Sequence, residues 1–178
     1  MKILIALLLV TCTLKGFSQS FYDLPVSDNA GVQYSLSAFT GRKILVLTLP
    51  VTRSASDSAF LQKMDSIAIT FSSQVKMIAF PVYEDGYVDD SINNPSDWYR
   101  SLLDTGILLS KPVYAHTASG LQQDSLFRWL THVELNAHFE YEATGPGTIF
   151  FINEHGELYG ISGPEGRMSG KLVDRISL

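Results

Sequence analysis

The residues best placed for chemistry in this sequence are Thr52-Arg53-Ser54, which stand between an apolar run and a helical pattern. A serine hydroxyl becomes a nucleophile when a histidine activates it, yet no Gly-x-Ser-x-Gly elbow surrounds Ser54. Ser54 with Asp57 three residues later resembles a capping box, although Asp replaces the usual Glu or Gln. We therefore favour a helix N-cap and keep the nucleophile as an alternative. A third use is the binding of an anion or a substrate carboxylate by the free N–H groups there, with Arg53 helping.

Two clusters contain the residue types that bind metal ions. The first is an acidic stretch formed by Glu84, Asp85, Asp89 and Asp90. Its spacing matches no calcium loop, so a solvated acidic loop is the better interpretation. The second cluster is formed by His132, Glu134, His138, Glu140 and Glu142. The spacing of its two histidines does not place them on one helix face, so we expect neither a metal site nor a cofactor.

The N-terminal segment has the form of a secretory signal peptide. Lys2 is followed by an apolar run at 3–10, and Gly16-Phe17-Ser18 supplies small residues for a cleavage site. The run is too short for a stable membrane span. We therefore expect cleavage after Ser18, within about three residues. We also expect a single domain at 19–178 and a secreted or periplasmic protein.

Cys12 is the only cysteine of the 178 residues, which excludes an intramolecular disulfide. The segment Leu9-Val10-Thr11-Cys12 loosely resembles a lipoprotein signal, in which Cys12 would carry a lipid anchor, but a threonine before the cysteine fits that pattern poorly. Either kind of processing removes or caps the thiol. We therefore expect the mature protein to contain no free sulfhydryl group.

The composition is that of one soluble globular domain rather than a disordered chain. Hydrophobic residues make up 46% and charged residues 17%, and the formal net charge is −5. Loss of Lys2 and Lys15 with the leader would remove two positive charges. Because an acidic surface repels a phosphate backbone, we expect no nucleic-acid partner.

The order of hydrophobic patterns predicts an α/β fold. Residues 43–49 and 75–82 are near-continuous apolar runs, typical of parallel strands buried on both faces. A helical stripe between them is formed by Phe60, Met64, Ile67 and Phe71. The other predicted elements are a β-hairpin at 21–26 and 32–36, helices at 96–103, 124–133 and 169–176, a strand at 111–116, and a hairpin at 148–153 and 157–162. This order matches a thioredoxin-like fold, with a central mixed sheet flanked by helices and an N-terminal β-hairpin.

Four segments in this order resemble the glutathione peroxidase family, a branch of the thioredoxin superfamily. Residues 20–50 resemble its opening hairpin and first strand, and VKMIAFPV at 75–82 resembles the strand that ends in Phe-Pro. KPVYAHTASGLQQDSLFRWL at 111–130 resembles its Pro-Val-Phe/Tyr strand and the following helix. TIFFINEHGELYGISGP at 148–164 resembles its closing hairpin. The resemblance implies the thioredoxin-like fold and a peroxidase of oxidative-stress defence.

The resemblance also places the catalytic positions of that family on this chain. Ser54 takes the place of the peroxidatic cysteine, Glu84 that of the supporting Gln, and Gly145-Pro146 that of the Trp-Asn pair. Every one of these positions departs from the family pattern. A serine hydroxyl ionises far less readily than a thiol and does not pass through a sulfenic acid. The chain therefore resembles a degenerate member that lacks thiol peroxidase activity.

These positions lead to two functional expectations. The favoured one is a binding or accessory module that holds an unknown protein or small ligand in a cleft between residues 51–56, 83–87 and 144–147, with contacts from Arg53 and Ser54. The alternative is a working enzyme, either a peroxidase using another route or a hydrolase built on Ser54. The Gly145–Pro146 bond is compatible with a cis linkage or with an ordinary trans turn.

Overall fold

The computed structural model describes residues 19–88, 95–103, 106–116, 122–142 and 145–164. The expected leader at 1–18 and the expected closing helix at 169–176 lie outside these ranges. No helix within them is long and apolar enough to span a membrane.

The described chain begins with the predicted hairpin, which is shorter than the sequence pattern indicates. A 3-10 turn at Phe21–Asp23 precedes β1 (Pro25–Ser27), and β1 pairs antiparallel with β2 (Gln33–Ser35). The Asp28 carboxylate accepts hydrogen bonds from the N–H groups of Ala30 and Val32, at 2.9 and 2.8 Å. These two bonds fix the turn between the strands.

Five strands of the described chain form one mixed sheet, as the apolar runs predict. Its centre is β3 (Lys43–Thr48), which is parallel to β4 (Val75–Phe80). β5 (Ile107–Leu109) is parallel to β4 on its other side. β6 (Ile149–Ile152) is antiparallel to β3, and β7 (Leu158–Ser162) is antiparallel to β6, which gives the order β5-β4-β3-β6-β7.

The central strand is buried on both faces. Ile44 and Val46 contribute to one hydrophobic cluster, and Leu45 and Leu47 contribute to the other. Successive side chains of a strand point to opposite faces, so a continuous apolar run supplies both cores. Full burial of each such side chain contributes about 1.5–3 kcal/mol to folding.

Helix α1 (Ala55–Thr70) follows β3 and covers one face of the sheet. Three residues of the predicted stripe, Phe60, Met64 and Ile67, are buried there. The fourth, Phe71, is the C-cap and only half buried. A second helix on this face, α2 (Ser96–Leu102), confirms the predicted helix at 96–103.

The predicted strand at 111–116 is wrong in position. The third parallel strand is β5, which ends upstream of the predicted range. Pro112 has no N–H to donate to a strand ladder, so the predicted range does not form a regular strand. Beyond Pro112 only a single bridge forms, in which the Val113 N–H donates to the Pro81 carbonyl and the Val113 carbonyl accepts from the Tyr83 N–H, both at 3.1 Å. This bridge holds residues 113–116 beside the turn that follows β4.

The predicted helix at 124–133 is two helices, α3 (Ser125–Thr131) and α4 (Val133–Asn136), because the backbone is extended at His132. The Asn136 amide donates to the carbonyls of Trp129 and Phe139, at 3.0 and 2.8 Å. These bonds from a buried side chain hold the reversal of the chain after α3.

The N-terminal hairpin also covers the outer edge of β5. The Asn29 N–H donates to the Leu109 carbonyl at 3.1 Å, and the Lys111 N–H donates to the Ser27 carbonyl at 3.2 Å. An uncovered edge strand offers unpaired backbone groups to other chains. In this protein the backbone groups of Leu109 and Lys111 are paired within the same molecule.

Candidate functional site

Two loops converge at the carboxyl end of β3. On one side the Thr48 carbonyl accepts from the Gly147 N–H at 2.9 Å, and the Thr48 hydroxyl donates to the Gly145 carbonyl at 3.2 Å. On the other side Gly86 lies so close to Val51 that a β-carbon added to it would stand 3.3 Å from Val51 Cγ2. The described parts of the expected cleft are therefore neighbours of the end of β3, whereas residue 144 lies outside the described residues.

Gly145 and Pro146 form an ordinary turn ahead of β6. Their peptide bond is trans, and Gly145 has a φ of 93°. This left-handed conformation favours glycine because a β-carbon there is strained. The Gly145 carbonyl also accepts from the Thr148 hydroxyl at 3.1 Å, so the pair sets the direction in which the chain enters the sheet.

Ser54 is the N-cap of α1, as the sequence predicts. Its hydroxyl oxygen accepts from the Asp57 N–H at 3.1 Å and lies 2.9 Å from the Ser56 hydroxyl. The Asp57 carboxylate accepts from the Thr52 hydroxyl rather than being left to solvent. The Ser54 hydroxyl is thus used to hold the first turn of the helix.

Replacing Ser54 by alanine should lower the free energy of unfolding by about 1 kcal/mol, because one orphan N–H of the first helical turn loses its acceptor. Urea unfolding followed by circular dichroism measures the loss. Ser54→Asp is the matched control, since an aspartate can accept the same bond and should stay close to the unsubstituted protein. Equal losses in both variants would contradict the capping role.

Arg53 and Tyr99 lie next to this helix start. Arg53 is exposed and has a φ of 55°, a left-handed conformation that costs a non-glycine residue energy. The buried Tyr99 hydroxyl donates to the Pro50 carbonyl at 2.9 Å. Burial raises the pKa of Tyr99, with Arg53 opposing the rise and Asp85 adding to it. Tyr99 is therefore a neutral donor that fixes the loop after β3.

Glu84, at the position that the family resemblance gives to Gln, binds backbone amides. Its carboxylate accepts from the N–H groups of Ala115 and His116, at 3.2 and 3.0 Å. A carboxylate that accepts two backbone donors is a strong, charge-assisted contact. Glu84 therefore joins the turn after β4 to the segment that contains His116.

Asp85 and His116 form a buried pair that the sequence analysis did not identify. Asp85 Oδ1 lies 3.7 Å from His116 Nε2, and the two side chains are 6% and 15% exposed. Among the described residues, Asp85 Oδ2 has no hydrogen-bond partner. Burial raises the pKa of Asp85 to about 6, with the charge of Glu84 raising it further and His116 lowering it. This carboxyl group can therefore take up or release a proton near neutral pH.

The expected solvated acidic loop is thus wrong for Glu84 and Asp85, while Asp89 and Asp90 lie outside the described residues. The side chains of Glu84 and Asp85 turn inward to residues 115–116. No periodicity or motif relates Asp85 to a histidine 31 positions away, so the pattern in the sequence carried no signal for the contact.

A polar cavity of about 120 Å³ lies beside this pair. It is lined by Ala115, His116, Gln123, Thr131, His132, Glu140, Tyr141 and Glu142. The Gln123 amide donates to the Ala115 carbonyl at 2.8 Å and to the Thr131 hydroxyl at 3.2 Å. In the part of the chain that the structure describes, no three His, Cys, Asp or Glu side chains form a group able to hold a metal ion.

Comparison with known proteins shows the fold and no closer relationship. No family model matches the sequence, and no curated protein matches it. Solved structures with a similar fold are glutathione peroxidase and other thioredoxin-superfamily proteins. Trgpx in its apo form has 14% sequence identity and a TM-score of 0.62, with 90% of this chain and 97% of that chain covered.

Two further structures support the same conclusion. GPX1 of T. cruzi is 14% identical with a TM-score of 0.59, and the alignment covers 89% of this chain and 97% of that one. A thiol:disulfide interchange protein of the thioredoxin family from Chlorobium tepidum is 17% identical with a TM-score of 0.55, with 86% and 89% covered. The chain therefore has the thioredoxin-like fold that the sequence pattern predicts.

Proposed function

We propose that this protein is an exported binding or accessory module on a glutathione-peroxidase-like scaffold, without thiol peroxidase activity. The observation that supports the proposal is the start of α1. Ser54 stands where the family resemblance places the peroxidatic cysteine, and its hydroxyl is used as the helix cap. The only cysteine of the chain is Cys12, inside the expected leader.

The chemistry of peroxide reduction explains why this substitution matters. A thiolate attacks the O–O bond and becomes a sulfenic acid, which a second thiol reduces again. A helix N-terminus and a neighbouring cation lower the pKa of a cysteine enough to form that thiolate. A serine in the same place has no comparable reversible oxidation. The positive end of α1 and Arg53 would then serve to attract a ligand instead of activating a sulfur.

The buried Asp85 supports a binding role for the region beside the cleft. A buried carboxyl oxygen without a hydrogen-bond partner lowers stability, and such groups are typically kept at functional sites. With His116 and the polar cavity that His116 lines, the region offers both donors and acceptors. The ligand class that fits is a small polar molecule or a polar segment of a partner protein.

A coupled peroxide-consumption assay tests the proposal. Purified protein comprising residues 19–178 is given hydrogen peroxide or an organic hydroperoxide, with glutathione or reduced thioredoxin as the reductant. We expect no turnover above the rate without protein. Thiol-dependent turnover above that rate would overturn the proposal, and its disappearance in both Ser54→Ala and Ser54→Asp would place the activity at Ser54.

The matched variant is Ser54→Cys, which places a thiol at the start of α1. We expect it to restore little activity, because Glu84 binds backbone amides and Gly145-Pro146 forms a turn, so neither supports proton transfer to peroxide. Peroxidase activity of this variant near that of an ordinary thiol peroxidase would show that only the sulfur is missing from the site.

A further inference from the structure

The backbone at Gln19 is attached to the folded domain by a side chain of α3. The Trp129 indole N–H donates to the Gln19 carbonyl at 2.9 Å. The Ser20 hydroxyl accepts from the Tyr22 N–H at 3.3 Å and caps the first 3-10 turn. Phe21 is buried against the Trp129 ring, with the ring centroids 5.3 Å apart. Removal of Gln19 would therefore take the acceptor away from a buried tryptophan.

The same position coincides with the expected end of the leader. Gly16-Phe17-Ser18 supplies small residues three apart, and a cut after Ser18 makes Gln19 the first residue of the mature chain. A cut after Gln19 or Ser20 would remove the contact with Trp129 or the cap of the first turn. A cut no later than Ser18 leaves both contacts in place.

We propose that Gln19 is a modification site, at which the new N-terminal glutamine cyclises to pyroglutamate. The free α-amine attacks the side-chain amide carbon Cδ, a lactam C–N bond forms, and the C–N bond to the amide nitrogen breaks. Ammonia leaves with the transferred proton. The step is neither an oxidation nor a reduction and needs no co-reactant.

The contacts of Gln19 are compatible with this product. The residue is exposed, so its side chain is free to approach its own amine. The bond that holds it uses the backbone carbonyl, which the cyclisation does not change. The lactam removes the positive charge of the N-terminus and blocks aminopeptidases, which protects the acceptor of Trp129 from being trimmed away.

This inference rests on the removal of the leader and is independent of the ligand and of the missing thiol. The test is the intact mass and the N-terminal peptide mass of full-length protein expressed with its own leader, collected after export and held at neutral pH. We expect residues 19–178 with a mass lower by about 17 Da, the mass of one ammonia. The Gln19→Ala variant should have the same N-terminus with no such loss.

Three results would overturn the inference. An N-terminus at Gln19 that keeps a free amine after prolonged incubation would show that processing occurs without the modification. An N-terminus at another residue, or an unprocessed chain, would show that Gln19 is never exposed. A lipid on Cys12 would mean that a different processing route is used. The peroxidase assay is unaffected by any of these outcomes, so the two proposals fail separately.

Discussion

Replacing Glu84 by alanine is expected to lower the free energy of unfolding by about 2–4 kcal/mol. The substitution removes the acceptor of two backbone N–H groups, those of Ala115 and His116. Each hydrogen bond to a charged group contributes about 1.5–3 kcal/mol to the free energy of unfolding. The expected loss is smaller than the sum of two such bonds because Glu84 is only half buried, so water can bond to the freed N–H groups. Urea or guanidinium unfolding at neutral pH measures the change.

Glu84→Gln is the matched control for this prediction. A glutamine keeps one carbonyl oxygen of the same reach, so we expect it to retain half or more of the stability that alanine loses. Losses of the same size in both variants would indicate that the carboxylate charge alone matters. Ordinary surface substitutions change the free energy of unfolding by less than about 0.5 kcal/mol. A loss this small for Glu84→Ala would contradict the role of Glu84 as a contact between the two segments.

Asp85→Asn is expected to raise the free energy of unfolding, by about 1–2 kcal/mol once the pH has passed the folded-state pKa of Asp85. Burial raises the pKa of Asp85 from 3.8 to about 6 in the folded chain. Between these values the folded state binds a proton that the unfolded state has released, so stability falls as the pH rises. The loss is complete once the pH has risen through the folded-state pKa, and it is absent below the unfolded-state pKa.

The variant should therefore gain stability over the unsubstituted protein between about pH 4 and pH 6 and keep the gain at higher pH. Unfolding curves measured from pH 4 to pH 8 give the profile. The control is Asp97→Asn, which makes the same chemical change at a side chain that is 97% exposed. A destabilising Asp85→Asn at pH 8 would show that the ionised carboxylate is held by the fold. Weaker ligand binding together with higher stability is the pattern expected of a functional group.

The parts of the structure that the sequence predicted are those set by local pattern. The apolar run that becomes β3 is continuous because both faces of the strand are buried, and that requirement is visible in the residues themselves. Ser54 and Asp57 have the spacing of a cap, and the cap is present. The order of the hydrophobic patterns and the family resemblance both predict a thioredoxin-like fold, and the fold comparison agrees with it.

The parts that were missed depend on contacts between distant segments. Asp85 and His116 are in contact because the single β-bridge at Val113 holds residues 113–116 beside the turn that follows β4. The chain reversal after α3 depends on the hydrogen bonds of the Asn136 side chain. Nothing in the sequence distinguishes this asparagine from one on the surface. β5 has only three residues, too few for a periodicity to show.

The hydrogen bonds between the N-terminal hairpin and β5 have a consequence for self-association. Through Asn29 and Ser27 the hairpin engages the backbone at Leu109 and Lys111, where a strand from a second molecule would otherwise add. The hairpin at residues 25–35 thus completes the side of the sheet that is built from the middle of the chain. Until the hairpin docks, that margin is open to intermolecular pairing, so the opening segment acts as an internal safeguard against aggregation.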